Sequence, residues 1–168
     1  MQPSTNDSGH WSNFCPNCEN SSKPPASSPK TVLVFGVFDL LHPGHVYFLK
    51  SAKSHGDRLV VVATRDERAE QEKGRRPINS LSVRLTALEN LSCVDQALSG
   101  DEVGQWTMIQ RINPDIICVG HDQDSRQPKI IAQLNGLQKI PKIIKLSAFQ
   151  REQYSTTRLR QQLYNDGL

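Results

Sequence analysis

The sequence predicts a doubly wound, Rossmann-like α/β domain: a parallel sheet of about five strands with helices on both faces. Two observations predict it. From residue 31 onward, short runs rich in β-branched residues alternate with helical stretches, the pattern of strands buried between two helical layers. The most unusual polar residues gather just after predicted strands, at the carboxyl edge where such sheets bind ligands.

Taken in order, residues 1–30 are dominated by Ser, Asn and Pro and have too little apolar surface to offset their ordering entropy, so they read as a disordered tail. The domain is expected over 31–168. Its first strand is TVLVFGVF at 31–38, and the others are expected near 58–64, 94–98, 115–119 and 142–147. Helices are expected at 45–55, ended by Gly56, then at 66–72, 80–92, 103–112 and 128–138, with a closing helix from residue 155.

With 168 residues and 36% apolar side chains, one domain with a sizeable core is expected. A net charge of +3 with both signs interspersed argues for neither nucleic acid nor an anionic membrane as partner. No stretch approaches the roughly 18 apolar residues of a membrane span, and the N-terminus has no signal-peptide pattern, so a cytoplasmic protein is expected. The four cysteines do not form a secreted framework: Cys93 and Cys118 fall in core elements, and only Cys15 and Cys18 are close in sequence. With His10, the CPNC run offers three zinc ligands where a structural site wants four. The tail therefore reads as bland, with a dimeric, redox, metal or partner-recruiting role for Cys15 and Cys18 as the alternative.

The first loop, GVFDLLHPGH at 36–45, is the most informative stretch. Gly36 lets the strand end approach a neighbour closely, Pro43-Gly44 makes a tight turn, and His45 opens a helix whose free amides favour phosphate. His45, Phe48, Leu49 and Ala52 follow helical spacing, so His45 belongs to the inward stripe. One histidine alone is more often structural, but His42 and His45 bracketing Pro-Gly after a strand can donate hydrogen bonds to one anion.

Three further segments carry charge or caps. Lys73, Arg75 and Arg76 lie in KGRRPIN, ahead of Asn79 or Ser80 as a helix cap. On the next helix Leu81, Leu85, Leu88 and Leu91 form the buried stripe, and Arg84 projects about 60° from it, so it needs either a ligand anion or an acid such as Asp39, Asp66 or Asp122. In STTRLR at 155–160, Ser155 is a good N-cap, and the amides and hydroxyls of Thr156 and Thr157, with Arg158 beside them, form an anion cradle.

The motif GxFDxxHxGH resembles the signature of the cytidylyltransferase-like nucleotidyltransferases, and the resemblance extends over nearly all of residues 31–165. It implies that His42 and His45 contact the nucleotide phosphates, that Gly36, Val37, Phe38 and Gly44 line the nucleotide site, and that Ser155, Thr156 and Thr157 bind the β- and γ-phosphates. It also implies a nucleotide-site role for Arg84, with an intramolecular pair as the alternative, and a phosphate contact for at least one of Lys73, Arg75 and Arg76. Asp122 in VGHDQ matches an acid near the nucleoside, with His121 and Gln123 beside it. Asp39 is placed to meet either the metal or the acceptor. Arg151 sits one residue nearer the Ser-Thr-Thr start than the arginine of the cytidylyltransferases.

The implied reaction is attack by an acceptor phosphate on the α-phosphorus of ATP or CTP, with Mg²⁺ bridging phosphates and no covalent intermediate. FLKSAKSHGDRLVVVATRDE, KGRRPI and NPDIICVGHDQ look most like the archaeal-type FAD synthases, then the glycerol-3-phosphate cytidylyltransferases, and third the heptose-phosphate adenylyltransferases. The chain lacks the C-terminal cysteine pair of the archaeal-type enzymes, since no cysteine follows Cys118. An FMN acceptor needs an apolar, partly aromatic slot, for which Phe38, Tyr47, Phe149 and Tyr154 are candidates and equally core candidates. The resemblance implies a homodimer acting on small molecules; a catalytically silent nucleotide-binding module is the rival of another class.

Overall fold

The computed structural model describes residues 28–103, 105, 107–120, 127–134, 137, 139–147 and 156–165. The strands are β1 (Thr31–Gly36), β2 (Arg58–Ala63), β3 (Gln96–Ser99), β4 (Ile116–Val119) and β5 (Lys142–Lys145). The helices are α1 (Pro43–Lys53), α2 (Asp66–Lys73), α3 (Leu81–Glu89), α4 (Met108–Ile112), α5 (Gln127–Gln133) and α6 (Thr156–Asn165). The five strands form one parallel sheet in the order β3-β2-β1-β4-β5, as the alternation of elements predicts.

The pleat of β1 sends Val32 and Val34 to one face and Leu33 to the other. On the first face they meet Leu49 and Ala52 of α1 and Leu88 of α3; on the second, Leu33 packs with Met108 and Ile109 of α4 and Ile130 of α5. Both faces are covered, which is why the central strands read as unbroken apolar runs. The expected leucine stripe of α3 lies against the first face, with Leu88 fully buried and Leu81, Leu85 and Leu91 packed at its edge.

Three aspartates pin the amino ends of the strands. Asp57 accepts from the Lys30 amide (2.7 Å), Asp115 from Thr31 (2.8 Å) and Asp95 from Leu59 (2.6 Å). Each would otherwise be an unpaired backbone donor where the ladder begins. At the carboxyl ends, β1 continues through α1 to β2 on one side, whereas β3 returns through α4 to β4 on the other. The connections diverge between β1 and β4 and leave a crevice there.

The boundaries differ from expectation in ways that matter for the site. β1 stops at Gly36 rather than residue 38, because Phe38 takes a left-handed backbone (φ 51°) that no strand accommodates. α1 begins at Pro43 rather than His45, since a proline at the first helical position gives up no needed N–H. α3 spans 81–89, and Ser80 flanks it without a side-chain cap. α4 is only the end of the expected 103–112 helix and α5 only the start of 128–138.

Gly56 is where α1 turns into β2, and a Cβ there would lie 2.7 Å from Val32 Cγ2 and 2.8 Å from the Lys30 carbonyl oxygen. The backbone oxygen accepts the Arg58 amide and cannot swing aside. Gly56→Ala is expected to destabilise the fold by about 1–3 kcal/mol; a urea midpoint equal to the wild type's would contradict this packing.

Candidate active site

The site is built over the carboxyl ends of β1 and β2, from the loop between β1 and α1. Phe38 (φ 51°) and Leu40 (φ 49°) both hold left-handed backbone without glycine's freedom, a conformation that side chains adopt only when their surroundings force it. Phe38 is buried, and its ring folds back over the strand end: a Cβ on Gly36 would lie 2.6 Å from it. The neighbour that Gly36 admits is thus the chain's own Phe38. The same ring meets His45 edge-on, with centroids 5.5 Å apart.

Asp39, between the two left-handed residues, is only 3% exposed. Its Oδ2 accepts from the Ile78 amide (2.8 Å) and Arg160 Nη2 (2.7 Å), and its Oδ1 from the Asn79 amide (3.0 Å) and Asn79 Nδ2 (3.3 Å). The Thr156 hydroxyl donates to its backbone carbonyl (3.3 Å). Burial pushes the carboxyl up, but the Arg160 guanidinium and the two amides outweigh it and hold Asp39 below the ordinary range. The sequence left this acid between metal and acceptor. The structure instead commits both oxygens within the protein, and among the described residues no three His, Cys, Asp or Glu side chains cluster as a metal site.

His42 and His45 flank the turn that opens α1. The His42 carbonyl accepts the His45 amide (2.9 Å), and the two rings stack with centroids 3.9 Å apart at 23°. They therefore present one layered face rather than converging from two directions. Both Nδ1 atoms are buried with no hydrogen-bond partner among the described residues. Burial, reinforced by the charges of His42 and Lys73 and opposed by Asp39, pushes His45 down to about 3; burial also lowers His42. At neutral pH the pair is uncharged and can donate only as neutral imidazoles.

Around this pair stand two helix ends. Lys73 closes α2 ahead of Gly74, which takes the left-handed cap at φ 69°, and its charge is felt at His45. Arg75 donates to the Thr157 hydroxyl (3.2 Å), joining the basic loop to the start of α6. Arg76 pairs with Glu70 at 2.8 Å and with Glu67 at 3.6 Å. Thr156 and Thr157 lie at the first turn of α6, with Arg158 exposed beside them. Gly44 sits inside the first turn of α1.

Arg84 departs most from expectation. It is 1% exposed, pairs with Asp66 Oδ1 (2.5 Å), and donates to the carbonyls of Val37 (2.5 Å), Thr64 (2.8 Å) and Asn79 (3.1 Å). Its guanidinium supports the floor of the loop rather than reaching into the site. Val37 is correspondingly a backbone acceptor. The alternative raised from sequence, an internal pair with an acid, is the one formed.

Arg160 was missed. Its signal was available: Thr156, Leu159 and Arg160 follow the inward spacing of α6, and a charge on a buried stripe needs a partner. Asp122, with His121 and Gln123, Ser155, Arg151, Phe149, Tyr154 and the tail residues His10, Cys15 and Cys18 lie outside the described residues.

An open cleft lies on the sheet's second face at the same carboxyl edge, lined by Phe35, Val62 and Ile130 with Thr64, Arg68 and Asp101 at its polar side. Among the described residues its aromatic is Phe35. Phe38 is spent on Gly36 and His45, and Tyr47 is 42% exposed.

Because His45 is ordinarily protonated below about 6.5 but stays neutral here down to about 3, the unfolded chain binds the extra proton, and this residue's contribution makes stability fall as pH drops through that window. In an NMR titration the His45 ring resonances should stay flat from pH 8 to 5. A midpoint near 6.5 would contradict the buried, unpaired placement of its Nδ1.

Comparison with known proteins agrees with this geometry. A family model described as cytidylyltransferase-like matches residues 33–162. The FAD synthase of Thermoplasma volcanium is 35% identical over 132 residues, which is 79% of this chain and 92% of that one. The FAD synthase of Thermococcus sibiricus is 46% identical over 94 residues, covering 55% of this chain and 64% of that protein. A crystal structure described as the lipopolysaccharide core biosynthesis protein from Thermoplasma volcanium superposes with a TM-score of 0.67 at 36% identity, over 73% of this chain and 99% of that one. The matched span begins in β1 and ends in α6, so it takes in the histidine turn, the basic loop and the helix that Asp39 joins to them; the chain belongs to the cytidylyltransferase-like family of nucleotidyltransferases.

Proposed function

We propose that this protein is an FMN adenylyltransferase, transferring AMP from ATP to FMN with release of pyrophosphate to give FAD, as a cytoplasmic enzyme of small molecules. The observation that carries the reading is the stacked neutral pair His42–His45 at the start of α1, held in one hydrogen-bonded frame with the start of α6. The relatives named FAD synthase supply the choice of substrates.

In this reaction an oxygen of the FMN phosphate attacks the α-phosphorus of ATP, and the bond from that phosphorus to the bridging oxygen breaks as pyrophosphate leaves. The FMN phosphate has a second pKa near roughly 6 and is already a dianion at neutral pH, so no general base is required. His42 and His45 donate to the α-phosphate and bridging oxygen, where charge builds up. Lys73, Arg75, Arg158 and the start of α6 hold the β- and γ-phosphates; fixed donors of this kind supply orientation and charge stabilisation without reorganising. Mg²⁺, when bound with the nucleotide, would neutralise phosphate charge; Asp39, with both oxygens engaged within the protein, is not assigned as its ligand. We assign the isoalloxazine ring to the cleft of Phe35, Val62 and Ile130, whose apolar, partly aromatic lining suits a flat ring.

A sugar-phosphate acceptor is the second reading, favoured by the description of the Thermoplasma structure. Pyrophosphate release measured with ATP or CTP against FMN, glycerol 3-phosphate and sugar phosphates separates the two. We expect turnover with ATP and FMN; CTP with glycerol 3-phosphate, or ATP with a sugar phosphate, would overturn the FMN assignment. His45→Ala should lower the rate by about 10²–10³-fold, and Phe35→Leu should raise KM for FMN up to about tenfold while leaving KM for ATP within about twofold. An unchanged KM for FMN would remove the ring from this cleft.

A further inference from the structure

We propose that Arg160 is a positioning residue for nucleotidyl transfer: acting through Asp39, it fixes the loop from Phe38 to Leu40 and thereby the pose of the His42–His45 pair against the start of α6. The readout by turnover rests on the adenylyltransferase reading above; the structural coupling does not.

Helix α6 touches the loop at two points one turn apart, through the Thr156 hydroxyl on the Asp39 carbonyl (3.3 Å) and Arg160 Nη2 on the Asp39 carboxylate (2.7 Å). The same Nη2 donates to the Arg76 carbonyl (2.9 Å), and Asp39 takes the amides of Ile78 and Asn79. One ion pair therefore links three segments: the histidine loop, the basic loop and α6. Phe38 and Leu40, on either side of Asp39, hold left-handed backbone that their own side chains disfavour. Phe38 passes the constraint on, since its ring packs edge-on against His45.

Stability alone is a poor reason for this pair. Arg160 is 8% and Asp39 3% exposed, and Arg160 Nε is buried without a partner. Desolvating two charges roughly cancels their attraction, and apolar residues of similar volume commonly do as well or better. Geometry is what the pair supplies: a donor fork that meets a carboxylate and a carbonyl from one guanidinium.

The test compares wild type, Arg160→Met, Arg160→Lys and the double variant Asp39→Asn/Arg160→Met in the full chain, with melting temperature recorded for each. In Arg160→Met we expect a folded protein, KM for ATP within about threefold, and kcat lower by about 10²-fold. The kcat profile should also gain an acid limb at higher pH than any the wild type shows. The groups facing Asp39 are Arg160 from α6, His45 from α1 and the Ile78 and Asn79 amides; with the guanidinium gone, burial is opposed by the amides alone and the carboxyl takes up its proton at higher pH than in the wild type. Arg160→Lys should recover about tenfold, and the double variant should be no slower than Arg160→Met and should lose the acid limb. A kcat that falls only with the folded fraction, or an unchanged pH profile, overturns the proposal. If the wild type itself turns over neither FMN nor a sugar phosphate, the functional reading falls and the ring resonances of Phe38 and His45 decide: shifted in Arg160→Met they uphold the coupling, unmoved they refute it.

Discussion

A single buried carboxylate organises this molecule's functional end. Asp39 accepts four hydrogen bonds, two from backbone amides some forty residues away and one from a guanidinium 121 residues away. No regular secondary structure spans these segments; the carboxylate joins all three at once, beside the Arg75–Thr157 and Arg160–Arg76 contacts that tie the basic loop to α6. The arrangement also explains why two bulky residues tolerate left-handed backbone beside it. The loop is fixed at its centre, and its flanks take the conformation the anchor demands.

The charges are divided by depth. Arg84 and Arg160 are buried, and their hydrogen bonds go to protein acceptors, so they build the floor and the joint. Lys73, Arg75 and Arg158 stand exposed around the opening, where flexible cations can meet a polyanion without a large desolvation cost. The histidines lie between these layers and are kept neutral by burial. On the proposed reading, the rim attracts the nucleotide and the stacked, uncharged histidines direct the reacting phosphate.

Local chemistry made the frame readable from sequence. Alternating strands and helices, the proline-glycine turn between His42 and His45, and the Leu81–Leu91 stripe are short-range patterns whose physics is contained within one element. What escaped depends on contacts between distant segments. From sequence Asp39 was placed to meet either a metal or the acceptor; that its carboxylate accepts from Ile78, Asn79 and Arg160 follows only from the fold. Arg84 and Arg160 both break an inward helical stripe, yet only Arg84 was singled out, and of the acids open to it from sequence it pairs with Asp66. The backbone at Phe38 and Leu40 carried no signal at all, since neither residue type is suited to it.

Amide hydrogen exchange on Asp39→Ala against wild type tests the central claim most directly. If the carboxylate is the joint, exchange should quicken not only at Ile78 and Asn79, which lose their acceptor, but also at the His45 and Val46 amides of the histidine turn and along the first turns of α6, while the central strands β1 and β2 stay protected. Faster exchange confined to Ile78 and Asn79 would show that the three segments hold their places independently, and would contradict this account.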